Sequence, residues 1–174
     1  MTPKKLMSPK SIANFLEKNK IKHEVLEHKT VFTAFDKSAT LKEKPAIIGK
    51  GLILCFNGKD YALGLVPANK NLDKAKTLAA MNKIRQKAKE KDYKKVDFAK
   101  ETWVKNNFKN CKPGANPPFG DLYGMPLIMD NSLAKQTKII VNGGSYEISL
   151  KIPPKELEKG NNALIKAGIA VARK

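Results

Sequence analysis

The chain has 174 residues, with 34 Lys+Arg against 16 Asp+Glu and a formal net charge of +18. That length fits one domain of about 100–200 residues, and 41% hydrophobic residues suffice for a core, which excludes a wholly disordered chain. No apolar stretch approaches the roughly 18 residues that cross a bilayer, and no apolar signal segment follows the N-terminal lysines.

Ser8-Pro9 predicts a helix start, a serine cap followed by proline at the first helical position. Ile12, Phe15 and Leu16 then share one apolar face, and the helix is expected to fade near Asn19. Residues 21–33 alternate loosely and read as extended chain. The apolar runs 47–56 and 61–66 flank Asn57-Gly58, which predicts a hairpin because both turn residues tolerate positive φ. Both runs are nearly continuously apolar, so strands buried on both faces are expected. Residues 72–91 read as a helix with lysines on one side. A shorter helix is expected over residues 97–107, capped by Asp97. The segment 111–120 is too rich in Gly and Pro for a regular element. Residues 125–129 and 139–141 read as short strands. A turn at Gly143-Gly144 leads into a period-two strand whose Ser145, Glu147, Ser149 and Lys151 are expected to face water. Residues 154–159 make a helical turn and 161–171 a last amphipathic piece. Interleaved strands and helices, without a repeat or a long linker, argue one α/β or α+β domain around a mixed sheet.

All the basic residues but Arg85 and Arg173 are lysine. Lysine is a mobile point charge, suited to phosphate backbones more than to bidentate base reading. A net charge of this size favours a polyanionic partner. From residue 82 to 113, eleven basic residues stand against four acidic ones, among Tyr93, Phe98, Trp103 and Phe108. Aromatics among lysines stack on bases. At helical spacing, Trp103 and Phe108 read instead as core anchors.

Two cysteines, Cys55 and Cys111, make neither a disulfide framework nor a zinc site. A reducing, cytoplasmic compartment follows as the expectation. No G-x-S-x-G elbow, phosphate loop or dinucleotide fingerprint is present, and no residue cluster has metal-ligand spacing. Cys111 paired with His28 is a nucleophile candidate, set against a plain thiol. Lys50, between Gly49 and Gly51, is out of place in a strand expected to be buried, since burying an ammonium is costly. Either it lines a pocket and meets a phosphate or carboxylate, or it faces solvent from an edge strand. The loop 114–120 is stiffened by prolines and opened by glycines, so its N–H groups can approach a ligand, or it is a rigid connector.

Taken in order, these motifs resemble the YbaK/ProXp family of aminoacyl-tRNA editing domains, also called the prolyl-tRNA-synthetase-associated domain. Residues 12–16 resemble its opening helix. Glu27-His28 and Val31-Phe32-Thr33-Ala34 resemble its histidine and Thr-Ala segment. Residues 47–54 resemble the strand of the family's pocket lysine, which places Lys50 on that lysine. Leu65-Val66-Pro67 and Asn71-Leu72-Asp73 resemble its step into the second helix. Residues 114–118 fit its G-x-x-x-P loop, with Pro118-Phe119-Gly120 as the ending. Met129-Asp130-Asn131-Ser132-Leu133 resembles a strand end of the family, and Val141-Asn142-Gly143-Gly144 the turn before its last strand. The chain departs at Gly51, where the family usually has Thr or Asn, and in the lysine-rich stretch 83–112, which is longer and more basic.

The resemblance implies a curved mixed sheet wrapped by helices, carrying a hydrolase that clears mischarged tRNA. It puts Lys50, Gly114 and Pro118 at the reacting centre. It puts His28, Phe32, Thr33, Gly51, Phe119, Gly120, Asp130, Asn142 and Gly143 around the substrate. The implied acyl group is small, such as alanine, cysteine or serine, on proline tRNA. No metal or organic cofactor is expected. The acceptor end of aminoacyl-tRNA is the expected partner, with a synthetase as a second, a monomer as the default state and no membrane. An ester is already activated, so such a site needs orientation and oxyanion stabilisation more than a strong nucleophile. Two other readings stay open: a non-catalytic basic tRNA-binding module, and the editing domain of a larger synthetase. The starting Met1 favours a free-standing protein.

Overall fold

The computed structural model describes residues 9–108 and 111–173; Ser8, the expected helix cap, lies outside them. In chain order the elements are α1 (Pro9–Lys18), β1 (Glu24–Glu27), α2 (Ala34–Leu41), β2 (Gly49–Phe56), β3 (Asp60–Pro67), β4 (Lys70–Leu72), α3 (Lys74–Lys87) and β5 (Val96–Phe98). There follow α4 (Glu101–Asn107), β6 (Leu127–Asp130), α5 (Asn131–Ala134), β7 (Ile139–Ser145), β8 (Ile148–Ile152), β9 (Leu164–Ala167) and β10 (Ala170–Ala172).

The hairpin forms where Asn57-Gly58 predicts it, with φ of 54° and 71° at the two turn residues. β2 and β3 pair antiparallel from Gly49 opposite Pro67 to Phe56 opposite Asp60. β6 joins β3 in parallel, β9 joins β6 in parallel, and β5 closes the other edge antiparallel to β2. This mixed sheet has the order β5-β2-β3-β6-β9. Its side chains alternate between two cores, as period-two strands require. Ile53, Leu63, Leu65, Leu127 and Met129 face the first core. Leu54, Phe56, Ala62, Val66 and Ile128 face the second. The first core is closed by α1, through Ile12 and Leu16, and by a second sheet of order β1-β8-β7, through Val141, Leu150 and Ile152. The second is closed by Met81 of α3 with Tyr93, Val96 and Ile169. The architecture is mixed α/β, as expected.

Several local expectations change. The 21–33 segment pairs only over β1, and α2 follows it, capped by the Thr33 hydroxyl, which accepts from the Asp36 N–H. Asp97 caps no helix: it lies in β5, where Val96 fills the second core, and α4 begins at Glu101. Gly143-Gly144 is not the turn but part of β7, beside a bulge, and the turn falls at residues 146–147. Ser149 is fully buried rather than wet, with its hydroxyl paired to the His28 ring. Residues 161–171 supply β9 and most of β10 because β6 and β4 need partners.

Asp130 fixes this C-terminal run. Its carboxylate accepts from the N–H groups of Ile169 and Ala170, both at 2.9 Å, and from the N–H and hydroxyl of Ser132. It is 4% exposed, its two oxygens accept from groups of the fold, and it does not line the cavity beside β2, although the resemblance puts it around the substrate. Burial pushes the carboxyl up, yet these hydrogen bonds outweigh it and hold the group below the ordinary carboxylate value. A depressed pKa gives stability that is complete above the ordinary value and is lost as pH falls through the folded one. We expect Asp130→Asn to cost about 2–3 kcal/mol at neutral pH. The gap from the parent should narrow on acidification towards about pH 2, as read by urea unfolding.

Candidate functional site

A parallel bridge joins Ile48 to Ile140 and seats the start of β2 beside β7. Two to three residues beyond this contact, Lys50 and Gly51 on one strand and Asn142 on the other wall a cavity of about 230 Å³. Val31, Phe32, Thr33, Ala34 and Lys37 close it from the α2 side. Gly114 and Ala115 close it from the loop, and Ser145 and Tyr146 from the β7 turn. Two larger hollows, of about 760 and 500 Å³, flank the stacked Tyr61–Trp103 pair at the far end of the β2–β3 hairpin. They contain Tyr93, Phe98 and Trp103 of the lysine-rich stretch but none of the residues that the resemblance puts at the reacting centre or around the substrate.

Thr33 starts α2, so Lys37 falls one turn in, with its N–H donating to the Thr33 carbonyl at 3.0 Å. The Lys37 side chain is 5% exposed, and its ammonium donates to Asn142 Oδ1 at 2.7 Å. Burial pushes the Lys37 pKa down to about 8. Asn142 Nδ2 in turn donates to the Gly114 carbonyl at 3.0 Å. One amide therefore ties α2 to the glycine loop. Lys50 lines the cavity, but its ammonium donates to the Lys70 carbonyl of β4 at 2.8 Å. Burial and then the nearby Arg173 charge lower its pKa. A side chain at Gly51 would stand 3.6 Å from the Asn116 carbonyl and 3.7 Å from the Asn142 amide nitrogen. At the mouth, Phe32 is 69% exposed and packs edge-on against Tyr146, whose hydroxyl donates to the Pro113 carbonyl.

Six of the expected residues therefore meet: Phe32, Thr33, Lys50, Gly51, Gly114 and Asn142. The others do not line the cavity. His28 Nε2 pairs with the Ser149 hydroxyl at 2.8 Å, and its Nδ1 with the Lys29 carbonyl. Pro118 and Phe119 turn inward as a plug: Phe119 is fully buried against Phe15, and the Pro118 carbonyl accepts from Asn161. The Gly120 N–H donates to Asn161 Oδ1, and the space for a Cβ there is filled by the Met125 carbonyl oxygen. Gly143 is pressed against Ile148. The loop's N–H groups are thus fewer than the sequence suggests. Ala115 donates to Lys112, Phe119 to Pro117 and Gly120 to Asn161, while the prolines have none. The N–H groups of Gly114 and Asn116 find no acceptor among the described residues.

The cysteine nucleophile fails on chemistry. Cys111 is 7% exposed in the first core, and burial pushes its thiol up to about 12, so it stays protonated. Sequence reasoning missed Lys37 and Asn116. The Thr33-x-x-Asp36 spacing is a cap pattern that would have located α2. Nothing local marks Lys37 as buried, since that follows from packing against β7.

Among the described residues no helix is long and apolar enough to cross a membrane. A family model described as an aminoacyl-tRNA editing domain matches residues 28–159, a span that holds every residue lining the cavity. No curated protein matches the sequence. The fold is similar to that of solved structures. A hypothetical protein is 20% identical with a TM-score of 0.73, over 92% of this chain and 99% of the other. A proposed trans-editing enzyme for prolyl-tRNA synthetase is 19% identical with a TM-score of 0.69, over 94% and 97%.

Two glycines separate site from scaffold. Gly51→Ala meets only ordinary contacts and should change stability by no more than about 1 kcal/mol. Gly120→Ala collides with backbone and should cost about 3 kcal/mol or more. Thermal melting of the two variants beside the parent reads the difference.

Proposed function

This chain belongs to the aminoacyl-tRNA editing domain family, and we propose that it hydrolyses the ester of a mischarged tRNA carrying a small amino acid, in the cavity beside β2. The observation that carries this reading is the meeting of Lys50, Gly51, Gly114 and Asn142, from three separate segments, in one cavity within the matched span. A cavity of about 230 Å³ suits a small acyl group while the bulk of the tRNA stays outside. One structural neighbour is described as acting for prolyl-tRNA synthetase, so proline tRNA bearing alanine, cysteine or serine heads the candidates.

The chemistry needs little beyond placement. Water adds to the ester carbonyl, the acyl–oxygen bond breaks, and the ribose oxygen takes a proton as it leaves. The tRNA's own vicinal hydroxyl assists the attacking water, so no protein triad is required. The N–H groups of Gly114 and Asn116, which have no acceptor among the described residues, hold the carbonyl oxygen in this reading as it gains charge. Lys50 exchanges the Lys70 carbonyl for a phosphate or ribose oxygen of the terminal adenosine. Pro118 acts only by stiffening the loop. The lysines of α3, α4 and the segments that connect them supply affinity that does not depend on sequence. The protein works as a monomer in the cytoplasm, on tRNA released by a synthetase.

The test is loss of label from tRNAs charged with radiolabelled alanine, cysteine, serine or proline. One mischarged tRNA should be deacylated fast, and Lys50→Ala should lower that rate by about tenfold or more. Deacylation of none of them, with tight tRNA binding, would leave the non-catalytic binding module standing instead. Affinity for tRNA should fall steeply between low and moderate salt, linearly on a double-logarithmic plot. Filter binding at several salt concentrations measures that slope.

A further inference from the structure

Lys37 is a buried cation that no step above uses. No carboxylate pairs with it: none of the ion pairs among the described residues includes Lys37, nor Lys50 on the opposite wall. A buried charge without a counter-charge is costly, and one neutral amide oxygen is weak compensation. An ammonium carries several N–H donors. One is spent on Asn142 Oδ1, and no other acceptor for it is found among the described residues. Asn142 adds no charge there: its Oδ1 accepts from Lys37 and one of its two amide N–H groups donates to the Gly114 carbonyl. The closed end of the cavity is therefore positive, donor-rich and lacking an acid.

We propose that Lys37 makes this closed end an anion subsite, pairing with an anionic oxygen brought by the acylated tRNA end. That oxygen comes from a carboxylate on the amino acid's side chain or from the phosphate of the terminal nucleotide. The shared chemistry is a charge-assisted N–H···O contact to Lys37 Nζ, beside Asn142. If the side chain supplies it, aspartyl replaces alanyl, cysteinyl and seryl as the preferred acyl group, because an uncharged side chain there would bury the ammonium unpaired. If the phosphate supplies it, Lys37 fixes the depth to which the terminal nucleotide enters. The inference takes the identity of the ligand from the proposed editing function, but its test reads binding and needs no turnover.

Stable amide analogues of aminoacyl-adenosine serve as probes, alanyl and aspartyl, each with and without the ribose-linked phosphate. They are titrated calorimetrically into the full chain, Lys37→Met and Lys155→Ala, the last removing an exposed lysine outside the cavity. At least one anionic probe should bind the parent about tenfold tighter than neutral alanyl-adenosine, and Lys37→Met should erase that advantage. Lys155→Ala should keep it. A gain confined to the aspartyl probes assigns the side chain, and a gain confined to the phosphorylated probes assigns the phosphate. Equal affinity for all probes, binding of none, or an advantage that survives Lys37→Met overturns the subsite. Lys37→Gln replaces Lys37→Met if melting shows the latter unfolded. Anion preference without deacylation would sink the editing reading alone, and deacylation without anion preference would sink the subsite alone.

Discussion

The seam between the two sheets is the constraint on which the rest depends. Ile48 and Ile140 are fully buried, and their parallel bridge is the point where β2 touches β7. Ala68 packs into the same small cluster, and its N–H donates to the Ile48 carbonyl at 2.9 Å. Gly49 lets the strands come this close, since a Cβ there would lie 3.0 Å from Leu65 and 3.2 Å from Val141. Just past the seam, hydrophobic contact gives way to polar side chains: Lys50, Asn142 and, across the gap, Lys37. The apolar contact thus fixes the polar one, because neither strand can slide without moving a large side chain out of a closed core.

Electrostatics pull against that scaffold. A net charge of +18 is set against five ion pairs among the described residues, four of them with a largely exposed partner. Exposed pairs contribute little. The surface remains strongly positive, and self-repulsion works against the compact state. A polyanion relieves that repulsion over the surface, and an anionic oxygen relieves it inside the cavity. The same shortage of acids therefore operates at two scales. Any anion that binds the folded chain in preference to the unfolded one lowers this cost by mass action.

Much of the scaffold was legible in the sequence because its causes are local. Asn57-Gly58 demands positive φ, so the hairpin could be read from two residues. Unbroken apolar runs announced a sheet covered on both faces. What was not legible depends on partners far along the chain. Val96-Asp97-Phe98 is three residues with no strand pattern of its own, and it is a strand because the edge of β2 is open there. The last segment reads only as an amphipathic piece in isolation but meets β6 and β4, whose edges claim it. The site divides the same way. The Gly114 end of its loop lines the cavity, while Pro118-Phe119-Gly120 resembles a binding motif and packs as a core plug. A proline-rich apolar turn looks alike in both roles until its neighbours are known.

Gly51 and Lys37 are best understood together. Where the family resemblance leads to Thr or Asn, this strand offers no side chain, and the vacated space lies between Asn116 and Asn142. Polar groups reach that space from the far walls instead. Asn142 contributes an amide that is already oriented by Gly114 and Lys37, and Asn116 contributes a backbone N–H. The substitution widens the cavity at its middle, while the ammonium makes its end demanding. A pocket that is roomy but charged selects by chemistry more than by volume. A hydrophobic pocket separates one methylene from none by only about 1–3 kcal/mol, whereas a buried polar group left unpaired rejects the wrong ligand far more strongly. A cation at the closed end is thus the efficient way for a small cavity with a glycine wall to discriminate.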